Sequence, residues 1–194
     1  MNLAIINARM QSSRFPGKLM QELVPGKSVL EVFLERMKLV KSWDGMVLNL
    51  QLDPANEPLR EVAEKMGIPI LESVRPLLEN GAEDVLGRTL DAADHYHANT
   101  IIRVTPDNPC LHASVIHRAC VNYYMNRNGC HYVSNCWHRG DGGGFPRGTE
   151  VEVFSYAALG QMENETSKTV EGSKSDLIRL QANRLYDREH VATF

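Results

Sequence analysis

Leu3-Ala4-Ile5-Ile6, an unbroken apolar run, leads directly into a segment that carries Arg9, Arg14 and Lys18 among Ser12, Ser13, Pro16 and Gly17. A short run without polar alternation fits a strand buried on both faces of a mainly parallel sheet. That constrains the rest of the chain, because such a sheet needs helices on both sides and places its ligands outside the carboxyl ends of its strands. Three cationic side chains at that edge neutralise a polyphosphate, and small residues let backbone N–H groups approach the same anion. A solvated basic loop is the alternative reading. The position of the charge, immediately after a buried strand, favours phosphate binding. Gly17-Lys18 is followed by Leu19, so the segment is not a GxxxxGK[ST] loop and a P-loop kinase is not indicated.

Further along, the pattern keeps alternating between strand and helix. Val24-Pro25-Gly26-Lys27 reads as a turn, after which Ser28 caps a helix and Glu31 completes a capping box, with Leu30, Phe33, Leu34, Met37 and Val40 as its buried stripe. Strands are expected at 46–50, 68–71, 101–104, 132–134 and 150–154. Helices are expected near 59–66, 85–96, 115–124 and 176–186, with a polar connector over 163–175. This order predicts an α/β fold, three-layer α/β/α and Rossmann-like, with a mainly parallel sheet and right-handed crossovers. A single domain over 1–194 is expected, since no internal repeat is visible and this length suffices for one well-buried core. Gly-rich 140–144 lacks the strand-to-helix setting and spacing of a dinucleotide loop, and reads as a substrate-side flap or a flexible insertion.

Charge and cysteine usage narrow the function. A net charge of -3 argues against strong non-specific attraction to nucleic acid or anionic membrane, so any polyphosphate site must be a local concentration of cations. No apolar stretch is long enough to span a bilayer, and the expected location is cytoplasmic. Cys110, Cys120, Cys130 and Cys136 lack CxxC spacing and fall among elements expected to be buried, as free thiols in a reducing compartment do. Cys130, His131, Cys136 and His138 are too irregularly spaced for a structural zinc site. His112 and His117, flanking an expected helix start, read as surface or pocket residues rather than ligands.

Read whole, NARMQSSRFPGKL at 7–19 resembles the opening of the cytidylyltransferases that activate acidic sugars, especially the branch linked to spore-coat and surface polysaccharide synthesis. AEDVLGR at 82–88, IIRVTPDNP at 101–109, YVSN at 132–135, FPRGTEVEVFS at 145–155 and REHV at 188–191 resemble further blocks of that family, in family order. The resemblance implies a nucleotide-diphospho-sugar transferase fold and transfer of a cytidylyl group from CTP to a sugar, with release of pyrophosphate. It assigns Arg9, Arg14 and Lys18 to the triphosphate, with Ser13 as a hydrogen-bond donor. It also implies Mg²⁺ as cofactor and Asp107 as its ligand, a hard oxygen donor beyond a strand end that suits an ion shared with phosphates; composition alone favours the alternative, a loop-capping Asp. The local text TPDNP departs from the more usual GDxP, and Pro106 restricts the backbone before the acid. Arg14, Lys18 and Asp107 are thus the expected catalytic set.

Arg88 and Arg103 stand evenly between positioning nucleotide and pairing structurally with Asp or Glu. On the sugar side, Asn135 offers donors and an acceptor to a polyhydroxyl ligand. Glu150 and Glu152, two residues apart, share one strand face, either toward substrate or toward solvent. Glu189 and His190 either polarise a substrate hydroxyl or form a polar cluster. The expected partners are CTP, a sugar and a second copy of the chain, without nucleic acid or membrane. Relatives commonly continue past the REHV-like block into another acidic motif associated with magnesium, whereas the sequence here ends at Phe194. That difference keeps open a second reading, a nucleotide- or sugar-binding protein without efficient turnover.

Overall fold

In the computed structural model, residues 1–12, 15–78, 83–135, 145–146, 148–166 and 191–193 are described. The apolar opening run lies in β1 (Asn2–Ala8), where Leu3, Ala4, Ile5 and Ile6 are all buried. A hairpin of β2 (Glu22–Val24) and β3 (Lys27–Ser28) turns through Gly26, whose φ of 76° is left-handed, and delivers the chain to α1 (Val29–Met37). Ser28 Oγ accepts from Glu31 N at 3.2 Å and Glu31 Oε2 accepts from Ser28 N at 2.8 Å, forming the expected capping box.

Next come β4 (Gly45–Gln51), α2 (Glu57–Lys65), β5 (Ile70–Ser73), α3 (Val85–His95), β6 (Thr100–Val104) and α4 (Ala113–Asn126). The remaining elements are β7 (Tyr132–Ser134), β8 (Val151–Ser155), α5 (Tyr156–Thr166) and β9 (Val191–Thr193).

Seven strands form one sheet in the order β5-β4-β1-β6-β8-β7-β9. β1 is parallel to both β4 and β6, β4 is parallel to β5, and β7 is parallel to β9, while β8 runs antiparallel between β6 and β7. Residues of alternate parity along each strand face opposite layers. Ile6, Leu48, Ile102 and Val153 pack with α1, α2 and α4, while Leu3, Ile5, Val47, Ile101 and Phe154 pack with α3 and α5. The fold is therefore the expected α/β/α sandwich with a mainly parallel sheet. Burying each Leu or Ile of these layers contributes about 1.5–3 kcal/mol.

Some local expectations are corrected. The strand expected at 68–71 is shifted to Ile70–Ser73, because left-handed Gly67 and Pro69 carry the chain out of α2 first. The first part of the connector expected from Glu163 belongs to α5, which buries Ala158, Leu159 and Met162 against the second core cluster. Cys110 is exposed, in the loop after β6, whereas Cys120 and Cys130 are buried as expected. Burial raises the Cys120 thiol pKa to about 11, so it remains an inert thiol. Cys136, His138, the Gly-rich 140–144 and the helix expected at 176–186 lie outside the described residues. No helix among the described residues is long and apolar enough to cross a membrane.

Candidate active site

The sheet order dictates where a ligand fits. From β1 the chain moves outward to β4 and β5 and then returns to β6 on the other side of β1, so β1 and β6 flank a topological switch point. In open α/β sheets the crevice outside the carboxyl ends at that point binds ligands. Here it is bordered by the segment after Ala8 and the loop after Val104.

The first segment is a closed loop. Met10 O accepts from Gly17 N at 2.9 Å, and Gly17, with φ 70°, turns the chain into the short 3-10 turn Lys18–Met20. Lys18 Nζ donates to Asp107 Oδ2, joining the two loops across the crevice. Both side chains are partly exposed, 28% for Lys18 and 38% for Asp107, which leaves the pair accessible from the crevice. Among the described residues no cluster of three or more metal-ligating side chains exists. The chemistry of Asp107 nevertheless suits Mg²⁺, which commonly uses one or two carboxylates and completes its shell with water and substrate phosphate.

Arg88 stands on α3 and is 1% exposed. Its Nη1 lies 3.2 Å from Glu83 Oε2, an ion pair by distance, yet neither Nε nor Nη1 has a hydrogen-bond partner among the described residues. Burial lowers the Arg88 pKa; Glu83 opposes that shift, and the nearby Arg9 cation adds to it. Arg9, half-buried just beyond β1, thus sits within electrostatic reach of Arg88. Arg9, Lys18, Asp107 and Arg88 consequently gather around the carboxyl end of β1.

Sequence reasoning passed over a polar ladder beside them. Asn7 and Asn49 are register partners on β1 and β4; Asn49 Nδ2 donates to Asn7 Oδ1 at 3.0 Å and to Arg88 O at 2.9 Å, and Asn7 Nδ2 donates to Thr89 Oγ1 at 2.9 Å. Asn49 is wholly buried, and its Oδ1 has no hydrogen-bond partner among the described residues. A legible signal existed, an asparagine near the end of each apolar strand LAIINA and MVLNLQ.

Other expected site residues are engaged differently. Arg103 and Glu152, register partners on β6 and β8, form a buried ion pair, and Tyr132 OH donates to the other Glu152 oxygen. Burial raises the Tyr132 pKa well above its ordinary value, and the Glu152 carboxylate adds to the shift. Glu150 does not share the strand face of Glu152, since it precedes β8; its Oε2 accepts from Asn108 Nδ2 at 2.9 Å and Gly148 N at 2.8 Å. Asn135 donates Nδ2 to Thr149 O at 2.7 Å and accepts from Val151 N at 2.9 Å, so its amide ties the end of β7 to the start of β8. Ser13, Arg14, Glu189 and His190 lie outside the described residues.

A second ion cluster borders α3. Arg75 pairs with Asp84, Asp91 and Glu163, and these carboxylates raise its pKa against burial, Asp91 most strongly. A Cβ at Gly87 would lie 2.2 Å from both Arg75 Nη1 and Asp84 Oδ2, so the ends of these two side chains would have to shift to admit one.

Comparison with known proteins adds family and fold. A family model described as cytidylyltransferase matches residues 3–194. An uncharacterised protein of Methanocaldococcus jannaschii is 26% identical over 192 residues, a match that covers 99% of this chain and 65% of that protein. The chain therefore spans just under two thirds of that relative's length. A cytidylyltransferase structure from Leptospira borgpetersenii superposes with TM-score 0.80 at 22% identity, covering all of this chain and 76% of the other. A structure of CMP:2-keto-3-deoxy-manno-octonic acid synthetase complexed with CTP superposes with TM-score 0.69 at 14% identity, covering all of this chain and 88% of the other. At these identities the structural matches speak to the fold.

Proposed function

The chain belongs to the cytidylyltransferase family, and from that premise we propose that it transfers the cytidylyl group of CTP to an acidic sugar of surface-polysaccharide type, releasing pyrophosphate. The observation that carries this reading is the Lys18–Asp107 pair, which joins a cationic loop and a carboxylate across the β1/β6 switch point beside Arg9 and Arg88. The CTP held by the structurally similar octonic acid synthetase supports the choice of nucleotide.

In this reading Arg9 and Lys18 bind the β- and γ-phosphates and offset the charge that develops as pyrophosphate leaves; Ser13 and Arg14 complete the loop's donors. Arg88, a buried cation paired with Glu83, adds positive charge at the carboxyl end of β1. Asp107 is the residue that would hold Mg²⁺, which when bound shields the phosphate charges and orients them. An oxygen of the sugar attacks the α-phosphorus in line, the new P–O bond forms as the bond to pyrophosphate breaks, and no enzyme nucleophile is needed. Glu150 and Asn135 act on the sugar side by holding the backbone of Gly148 and Thr149 in place, and Glu189 and His190 are assigned to the same side.

Pyrophosphate release, measured with CTP, Mg²⁺ and a panel of acidic sugars, tests the proposal. CTP-dependent release with at least one sugar is the expected result. Tight CTP binding without release under any magnesium-containing condition would instead make the chain a nucleotide-binding protein.

A further inference from the structure

We propose that Asn56 is a positioning residue that holds the phosphate-binding loop at the correct distance from the sheet, an inference that rests on the reading of that loop given above. Asn56 occupies the N-cap position of α2, where an asparagine ordinarily spends its side-chain oxygen on an amide of the first helical turn. It makes no such bond. Pro58, the second helical residue, has no N–H to offer, and the capping work of the turn falls to Asp53, whose Oδ1 accepts from Ala55 N at 2.8 Å.

The amide of Asn56 is directed elsewhere. Its Oδ1 accepts from Met10 N at 2.9 Å, and its Nδ2 donates to Gln51 O, the last residue of β4, also at 2.9 Å. At 2% exposure, it makes these bonds out of competition with water. Met10 is the closure point of the loop, because its carbonyl accepts from Gly17 N at 2.9 Å. Arg9 directly precedes Met10, and Lys18 directly follows Gly17. One buried amide therefore fixes both polar groups' anchor residue and, through it, the backbone positions of two cations relative to β4. A side chain that forgoes its local helix cap for a partner 46 residues away is a local rule broken where the site needs it.

The test compares Asn56→Ala, and the milder Asn56→Ser, with Leu159→Val, a core truncation in α5 remote from the loop. Three quantities are measured on each: thermal unfolding, amide hydrogen exchange at Met10 and Gly17, and calorimetric affinity for pyrophosphate and for CTP with Mg²⁺. The expected result is a loss of about tenfold in both affinities for either Asn56 variant, as follows when a buried donor is left without its acceptor. Faster exchange at Met10 and Gly17 accompanies it, while Leu159→Val loses stability and keeps wild-type affinity. Asn56 variants that bind both anions as tightly as wild type overturn the inference, as does an equal loss in Leu159→Val. A wild-type chain with no affinity for either anion overturns the reading of the loop itself, and this inference with it.

Discussion

Arg103 and Asp107 are four residues apart on the same stretch of chain, yet their ion pairs belong to different parts of the molecule. Arg103 lies within β6 and meets Glu152 in the interior, with side-chain exposures of 8% and 6%. Asp107 lies past the end of β6 and meets Lys18 at the crevice, with exposures of 38% and 28%. The contrast teaches that a charge inside the sheet is committed to the fold, whereas one just beyond its carboxyl edge stays available to a ligand. A buried charge whose partner is removed is left uncompensated in a low dielectric. A half-exposed one is resolvated by water at little cost.

Glu152→Ala strikes the interior pair and is expected to have the largest effect, destabilising the fold by about 3–5 kcal/mol because the Arg103 cation and the Tyr132 hydroxyl lose a shared buried acceptor. Urea unfolding measures it; a loss below about 1 kcal/mol would erase the distinction between the two pairs.

Asp107→Asn probes the other pair. It is expected to lower magnesium-supported turnover by about 10²-fold, equivalent to about 2.7 kcal/mol, on the scale of losing one preorganised electrostatic contact to a transition state. Stability should change by less than about 1 kcal/mol. A folded variant with the wild-type rate and magnesium response would remove Asp107 from the machinery.

Gly87→Ala sharpens the comparison at the intermediate case, the Arg75 cluster. In an ordinary helix this change is favourable by about 1 kcal/mol. Here the added Cβ makes the ends of Arg75 and Asp84 shift, which disturbs their ion pair and the Asp84 cap on Gly87 N, so the expected outcome reverses to a destabilisation of about 1 kcal/mol, read as a lowered Tm.

The smallest effect is at Glu31, far from both pairs. Hydrogen bonds from the Ser28 backbone, then from Lys65 and the Ser28 hydroxyl, lower its pKa from 4.5 to about 2. A lowered folded-state pKa means that its stabilisation is complete above the unfolded value and is lost as pH falls from about 4.5 toward about 2. The capping box is worth about 1 kcal/mol. Unfolding measured across that window should therefore show a slope that Glu31→Gln flattens.

Much of the architecture was legible because periodicity and capping are local. The strand 3–6, the Ser28–Glu31 box and the helix 85–96 needed only neighbouring residues to be recognised, and all three are present. The α5 helix escaped because YAALGQMENET has only a weak apolar stripe, and its helical state is supported by Ala158, Leu159 and Met162 docking on the second cluster. Asn56 escaped because its partner Met10 lies 46 positions away, beyond the reach of any local pattern.

By itself, the sequence determined the layered α/β fold, the cationic segment after the first strand and the acid after the fourth apolar run, since each is a property of adjacent residues. Only the tertiary structure decided which charges meet. It brought Lys18 to Asp107 across 89 positions, closed Arg103 onto Glu152 across 49, and drew Asn56 away from its own helix to Met10. The physical reason is that propensity and capping act within a few residues, whereas burial, and with it the strength of every ion pair and hydrogen bond, is set by strand order and register.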